Sequence, residues 1–164
     1  MEVRILATGG TFDKEYDELR GRLFFKETHL AEILKLGRCR VDAEVETVML
    51  IDSLDMSERD RRSILEYCAG VPEDRIIITH GTDTMVETAR LLASELQGKT
   101  IVLTGAMIPF AFGSSDGLFN IGGAMTAVQI LPPGVYIVMN GQVFPWYRAR
   151  KNRTTGIFER IPEA

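Results

Sequence analysis

The residues best placed to do chemistry lie in two threonine-centred segments, Thr8-Gly9-Gly10-Thr11 and His80-Gly81-Thr82-Asp83-Thr84. Each directly follows a run, Val3 to Ala7 or Arg75 to Thr79, that reads as a buried parallel strand. In an open α/β sheet, ligands bind outside the carboxyl ends of such strands. Thr11, Thr82 and Asp83 are therefore expected to face one crevice although they are far apart in sequence.

A threonine hydroxyl is a weak nucleophile until a base removes its proton. Lys151 is a candidate base, because a lysine can lose its proton when partly desolvated and packed among cations. Arg148, Arg150 and Arg153 supply that neighbourhood in sequence. Trp146 to Arg153 reads equally as a solvated basic edge. The other segments also have plain readings. Thr8 to Thr11 serves as a tight strand-to-loop turn, since glycine reaches backbone angles closed to other residues. It lacks the G-x-G-x-x-G of a dinucleotide turn and the Gly-Lys-Ser/Thr of a phosphate loop, so phosphate cradling is not expected. Thr82 or Asp83 reads as an ordinary helix N-cap. Capping needs one oxygen, however, and the segment supplies three polar side chains where a helix dipole also favours an anion or oxyanion. His80 reads as a satisfied core histidine. No second histidine or cysteine stands at metal spacing, so a metal site is not expected.

Composition narrows the class. At 164 residues and 45% hydrophobic content the chain is expected to form one domain over residues 1–164. A formal charge of −4 offers no general attraction for nucleic acid or an anionic membrane. No apolar run is long enough to span a bilayer, and the N-terminus enters a strand without a signal-peptide pattern. A soluble cytoplasmic protein is the expectation, with Cys39 and Cys68 as reduced structural thiols.

The elements that must position these side chains alternate as in repeated βαβ units. Thr28 is expected to cap a helix ending at Gly37, and Val41 to Ile51 to contain the second strand. Ser57 caps a helix with Ile64, Leu65 and Cys68 that stops near Gly70. Ile76 to Ile78 form the third strand. Asp83 or Thr84 opens a helix running to Leu96, Ile101 to Leu103 is the fourth strand, Leu118 to Ile130 a helix, and Val135 to Val138 the fifth strand. Beyond Asn140 the pattern suggests a hairpin or edge strand. The fold class is thus α/β, a single doubly wound, mostly parallel sheet with helices on both faces. Residues 12–25 mix acidic and basic side chains with Tyr16 and Gly21 without clean periodicity. Their position after Thr11 suggests a lid that excludes water; a solvated hairpin is the alternative.

The sequence resembles the N-terminal domain of bacterial-type L-asparaginases, the amidohydrolases with two catalytic threonines. The resemblance rests on residues 5–11, 52–56 and 78–85, on Gly105-Ala106-Met107 with Ser115-Asp116-Gly117 and Asn120, and on Val138-Met139-Asn140 leading to Lys151. It implies a flavodoxin-like sheet and hydrolysis of L-asparagine to L-aspartate and ammonia without a cofactor. In it Thr11 corresponds to the nucleophile that forms an acyl-enzyme, Tyr16 to the tyrosine that orients it, and Thr82, Asp83 and Lys151 to a second triad. The Ser53 hydroxyl and backbone correspond to the binder of the substrate α-carboxylate, Asp83 to a partner of its ammonium, and the Ala106 carbonyl to an acceptor of its amide nitrogen. Gly10, Asp52 and Gly81 belong to the same substrate-binding stretches.

The resemblance ends with the N-terminal domain, so the family's C-terminal domain and the acidic residue it donates are not matched. Leu54 stands where many members have a polar residue. Self-association is expected to cover the uncovered surface, with Phe110, Phe112, Phe144, Trp146 and Tyr147 as contacts or as core. A glutaminase or D-amino-acid amidase is the nearest enzymatic alternative. A non-catalytic amino-acid-binding or regulatory remnant is the alternative of a different class.

Overall fold

The structure is a computed structural model that describes residues 2–162. Its centre is a six-stranded sheet of β1 (Glu2–Gly9), β4 (Asp42–Ile51), β5 (Arg75–Thr79), β6 (Thr100–Thr104), β7 (Gly134–Met139) and β8 (Gln142–Pro145). The spatial order is β4-β1-β5-β6-β7-β8; the first five strands are parallel and β8 pairs antiparallel with β7. With the five parallel strands ranked by sequence, this is the 2-1-3-4-5 order of flavodoxin-like folds, and the order reverses between β1 and β5.

The parallel strands are hydrophobic on both faces because helices cover both. Alternation divides their side chains between two cores. Leu6, Ile76, Ile78, Leu103 and Ile137 pack with Ile64 and Cys68 of α2 (Glu58–Gly70) and with Met85 and Leu92 of α3 (Met85–Glu95). Val3, Ile5, Ala7, Ile77 and Val102 pack with Leu30 and Ile33 of α1 (Leu30–Leu36) and with Ile121 and Val128 of α4 (Gly117–Ile130). Each buried isoleucine is worth roughly 1.5–3 kcal/mol of transfer free energy.

Most expected elements are present, and Ser57 caps α2 in a capping box with Asp60. The first helix differs. It begins at Leu30 with His29 in the cap position, because the carboxylate of buried Asp13 accepts both the Thr28 hydroxyl and the His29 amide at 3.0 Å. A distant acid thus replaces the expected local cap. Phe144 is core, fully buried on β8. Phe110 and Trp146 are partly buried against the two cores, whereas Phe112 and Tyr147 are exposed. The apolar side chains most open to solvent in this part of the fold are Phe119 and Ile130 of α4, a helix that is apolar around most of its circumference. Cys39 and Cys68 are free thiols, and burial pushes that of Cys68 up to about 12.

Two hairpins stand outside the sheet. β2 (Lys14–Asp17) pairs with β3 (Arg22–Phe25), so residues 12–25 form a 3-10 turn followed by a hairpin. β9 (Ala149–Lys151) pairs with β10 (Phe158–Arg160). Among the described residues, no helix is long and apolar enough to cross a membrane.

Candidate active site

At the switch point the two threonine segments meet through their glycines. Gly9 and Gly10 turn the chain after β1 at φ values of 95° and 74°, a region that glycine enters without steric cost. A Cβ on Gly10 would fall 2.4 Å from Gly81 Cα, and one on Gly81 would fall 2.4 Å from Ser53 Oγ. A Cβ on Gly105 would fall 2.4 Å from the His80 carbonyl oxygen. The ends of β1, β4, β5 and β6 therefore close on one another, backbone to backbone at Gly10 and Gly105 and onto the Ser53 side chain at Gly81. Gly10 is fixed further by donating its amide to the Ile51 carbonyl at 2.8 Å. Thr11 follows Gly10 half-buried, Ser53 is buried against Gly81, and Thr82 and Ala106, also buried, flank Gly81 and Gly105.

Thr82, Asp83 and Lys151 are joined directly. Lys151 Nζ donates to Thr82 Oγ1 at 2.7 Å and to Asp83 Oδ1 at 2.9 Å. None of the polar side chains that open α3 makes a cap hydrogen bond. Thr84 instead donates to the Ser53 carbonyl at 2.9 Å. The capping reading of this segment thus gives way to a lysine-bridged pair and a tie to the Ser53 loop. The Ser53 hydroxyl is buried against Gly81 and has no hydrogen-bond partner among the described residues.

The arginines near Lys151 turn elsewhere. Arg150 pairs with Glu159 at 3.1 Å on the opposite side of β9, Arg148 donates to the Ile161 carbonyl, and Arg153 is exposed. The cationic neighbourhood expected for Lys151 is replaced by carboxylates. Besides Asp83, these include Asp52, whose charge the lysine field also stabilises. Burial alone would raise the Asp52 carboxyl. The hydrogen bond from Lys14, the Leu54 amide, and the fields of Lys14 and Lys151 outweigh it and hold the group below the ordinary carboxylate range.

Tyr16 is not brought to Thr11. It is 57% exposed, with its hydroxyl over the Gly21 turn of its own hairpin, and no hydrogen bond links it to Thr11 among the described residues. His80 is the satisfied core histidine that the sequence suggested. Its Nδ1 lies 2.8 Å from the Gly81 carbonyl oxygen, which only accepts, so Nδ1 carries the proton. Nε2 then accepts from the Thr88 hydroxyl at 2.8 Å, and burial lowers the ring to about 4.

Several positioning groups lie in the stretches that carry the resemblance, but the sequence reading gave them no role. Asp116 accepts from the amides of Met107 and Ile108 at 3.0 Å and thereby shapes the loop after β6. Asn120 donates to the Gly105 carbonyl at 2.9 Å and accepts from the Asn140 amide at 3.1 Å. Asn140, left-handed at φ 54°, accepts from the Phe158 amide at 2.9 Å. This chain ties the hairpin bearing Lys151 to the loop beside Thr82. Besides the resemblance, its sequence signal is asparagine just after a strand, since asparagine tolerates the left-handed region. Lys14, ion-paired with Asp52, ties the base of the β2–β3 hairpin to the Ser53 loop.

Fold and site together define an α/β protein with a polar centre at the switch point of a flavodoxin-like sheet. The family profile "Asparaginase, N-terminal" matches residues 2–159, and the chain belongs to that family. An L-asparaginase of Thermococcus kodakarensis is 28% identical over 165 aligned positions, covering 96% of this chain and 49% of the relative. L-asparaginase 1 of Escherichia coli is 36% identical over 111 positions, covering 65% and 31%. The solved structure of the thermostable L-asparaginase from Thermococcus kodakarensis superposes with a TM-score of 0.87 at 27% identity, covering all of this chain and 52% of that one. The chain spans about half the length of the Thermococcus relative and a smaller part of the Escherichia coli one, and the family profile it matches is that of the N-terminal domain.

Proposed function

We propose that this chain hydrolyses the side-chain amide of L-asparagine to L-aspartate and ammonia through a threonine acyl-enzyme. The observation that carries the reading is Lys151 Nζ held between the Thr82 hydroxyl and the Asp83 carboxylate. An amino-acid-binding module needs an acid for the ammonium and donors for the carboxylate, but no lysine on a threonine hydroxyl.

In this mechanism Thr11 attacks the amide carbon. Backbone amides near Gly10, Thr11 and Thr82 stabilise the oxyanion, a contribution of about 3 kcal/mol for one well-placed donor. Lys151 and Asp83 relay the proton through Thr82 to the departing ammonia and then activate the water that releases aspartate. The Ser53 hydroxyl and amide bind the α-carboxylate, Asp83 meets the α-ammonium, and the Ala106 carbonyl accepts from the substrate amide. Asp52 and Gly81 set the positions of Ser53 and Thr82. The β2–β3 hairpin is the lid, and its closure carries Tyr16 from the Gly21 turn to Thr11. The reaction as written uses only side chains, backbone and water. Self-association of this cytoplasmic domain covers the apolar face of α4 and completes the ammonium site.

Ammonia release from L-Asn, D-Asn and L-Gln, compared among the wild type, Thr11→Ala and Thr82→Ala, tests the proposal. L-Asn is the preferred substrate and each substitution removes activity. Discrimination against L-Gln rests on one methylene, about 1–3 kcal/mol. Turnover surviving both substitutions overturns the two-threonine mechanism; ligand binding without ammonia supports the binding-module reading instead.

A further inference from the structure

The Thr82 hydroxyl has a second neighbour besides the lysine. Because Lys151 donates to Thr82 Oγ1, the hydroxyl hydrogen must point elsewhere, and its acceptor is Met107 Sδ at 3.6 Å. The sulfur is held there from several sides. Asp116 fixes the Met107 amide, and a Cβ on Gly156 would come 3.0 Å from Met107 Cε, so the thioether is wedged between Thr82 and the turn of the β9–β10 hairpin. Met107 is also 39% exposed. Met56, Met85, Met125 and Met139 are buried in the two cores and Met49 packs partly buried against one of them, which leaves Met107 as the exposed methionine among the described residues.

We propose that Met107 is a sulfoxidation site whose oxidation state sets the availability of the Thr82 proton. The oxidant is a peroxide. Its O–O bond breaks, one oxygen bonds to the Met107 sulfur at the expense of a sulfur lone pair, and the other leaves as water. Methionine is oxidised by two electrons and the peroxide is reduced by two. A thioether is a weak acceptor that releases the hydroxyl hydrogen readily, whereas a sulfoxide oxygen is a strong one. The new oxygen holds the Thr82 hydrogen away from Lys151 and crowds the space under Gly156. Enzymatic reduction of the sulfoxide restores the resting site, as it does for methionine sulfoxide generally. The inference deepens the amide-hydrolysis reading and rests on it for its effect on turnover.

The test treats the intact chain with hydrogen peroxide and follows peptide mass maps alongside ammonia release from L-Asn. Met107 is expected to oxidise at least about tenfold faster than the buried methionines. Activity falls at least about tenfold in step with it, and methionine sulfoxide reductase restores it. Met107→Leu, measured against its own untreated rate, resists the treatment. Oxidation that spares Met107, or inactivation of Met107→Leu as fast as the wild type, overturns the proposal. A readout independent of turnover is the Met107 methyl signal in carbon-13 NMR. It shifts in Thr82→Val, and the shift becomes larger once Met107 is oxidised, because the sulfoxide oxygen holds the Thr82 hydrogen more strongly than the thioether does. If the untreated chain releases no ammonia, the hydrolase reading fails, while the mass map and the methyl signal still decide the sulfoxidation site. A methyl signal indifferent to Thr82 overturns it.

Discussion

Gly10 and Gly81 touch backbone to backbone, and this contact joins two segments that sequence holds far apart. Gly81 in turn lies against Ser53, so three strand ends share one seam. Gly10→Ala places a methyl 2.4 Å from Gly81 backbone atoms at a residue with φ 74°. Strain and overpacking together are expected to cost about 2–5 kcal/mol. Urea unfolding measures this, and ammonia release falls more steeply than stability because Thr11 is displaced.

The Lys151 bridge gives a second expectation. Lys151→Met and Asp83→Asn each lower kcat for L-Asn by about 100-fold or more, while the folded state survives because the lysine sits on the β9–β10 hairpin outside the six-stranded sheet. The double variant is little worse than either single one, since groups acting as a unit are not additive. Fully additive losses in kcat show that the two residues work separately.

How much of this was readable beforehand differs from residue to residue. Ile76 to Ile78 announce a strand buried on both faces, and Ser57 with Asp60 announces a cap, because both signals are local. The direction of Tyr16 and the surroundings of Lys151 are not local. The arginines around Lys151 suggested a cationic setting, but strand alternation turns Arg150 toward Glu159 and leaves Lys151 facing acids from other segments. The cap of the first helix was missed for the same reason, because Asp13 reaches it across a turn.

The β2–β3 hairpin carries its own test. Lys14 and Asp52 join it to the Ser53 loop with both side chains mostly buried. A double-mutant cycle of Lys14→Met and Asp52→Asn is expected to show a coupling of about 1–2 kcal/mol in stability. Lys14→Met alone also raises KM for L-Asn, because Asp52 then stands uncompensated beside the carboxylate binder. A coupling near zero removes this pair as the anchor of the hairpin.

His80 supplies the pH dependence. Its ordinary value is 6.5 and burial lowers it to about 4 in the fold. The unfolded chain therefore binds the proton more readily between these values, and folding stability falls as pH drops through that window. The contribution is complete above the ordinary value and amounts to about 3 kcal/mol over the whole window. His80→Gln is expected to flatten this segment of the stability curve in chemical unfolding experiments at stepped pH. An unchanged slope assigns the acid sensitivity to other groups.

The strand order has one more consequence. β1 is made before its neighbour β5, which follows only after a hairpin, two helices and β4, and Lys151 comes later still. During synthesis the Thr11 turn gains its partner at Ile51 before the one at Gly81, and only a segment that reaches Lys151 assembles the centre. A ligand that bridges Ser53, Thr82 and the Lys151 hairpin thus recognises completed folding, and its binding stabilises the finished sheet against every partly made one.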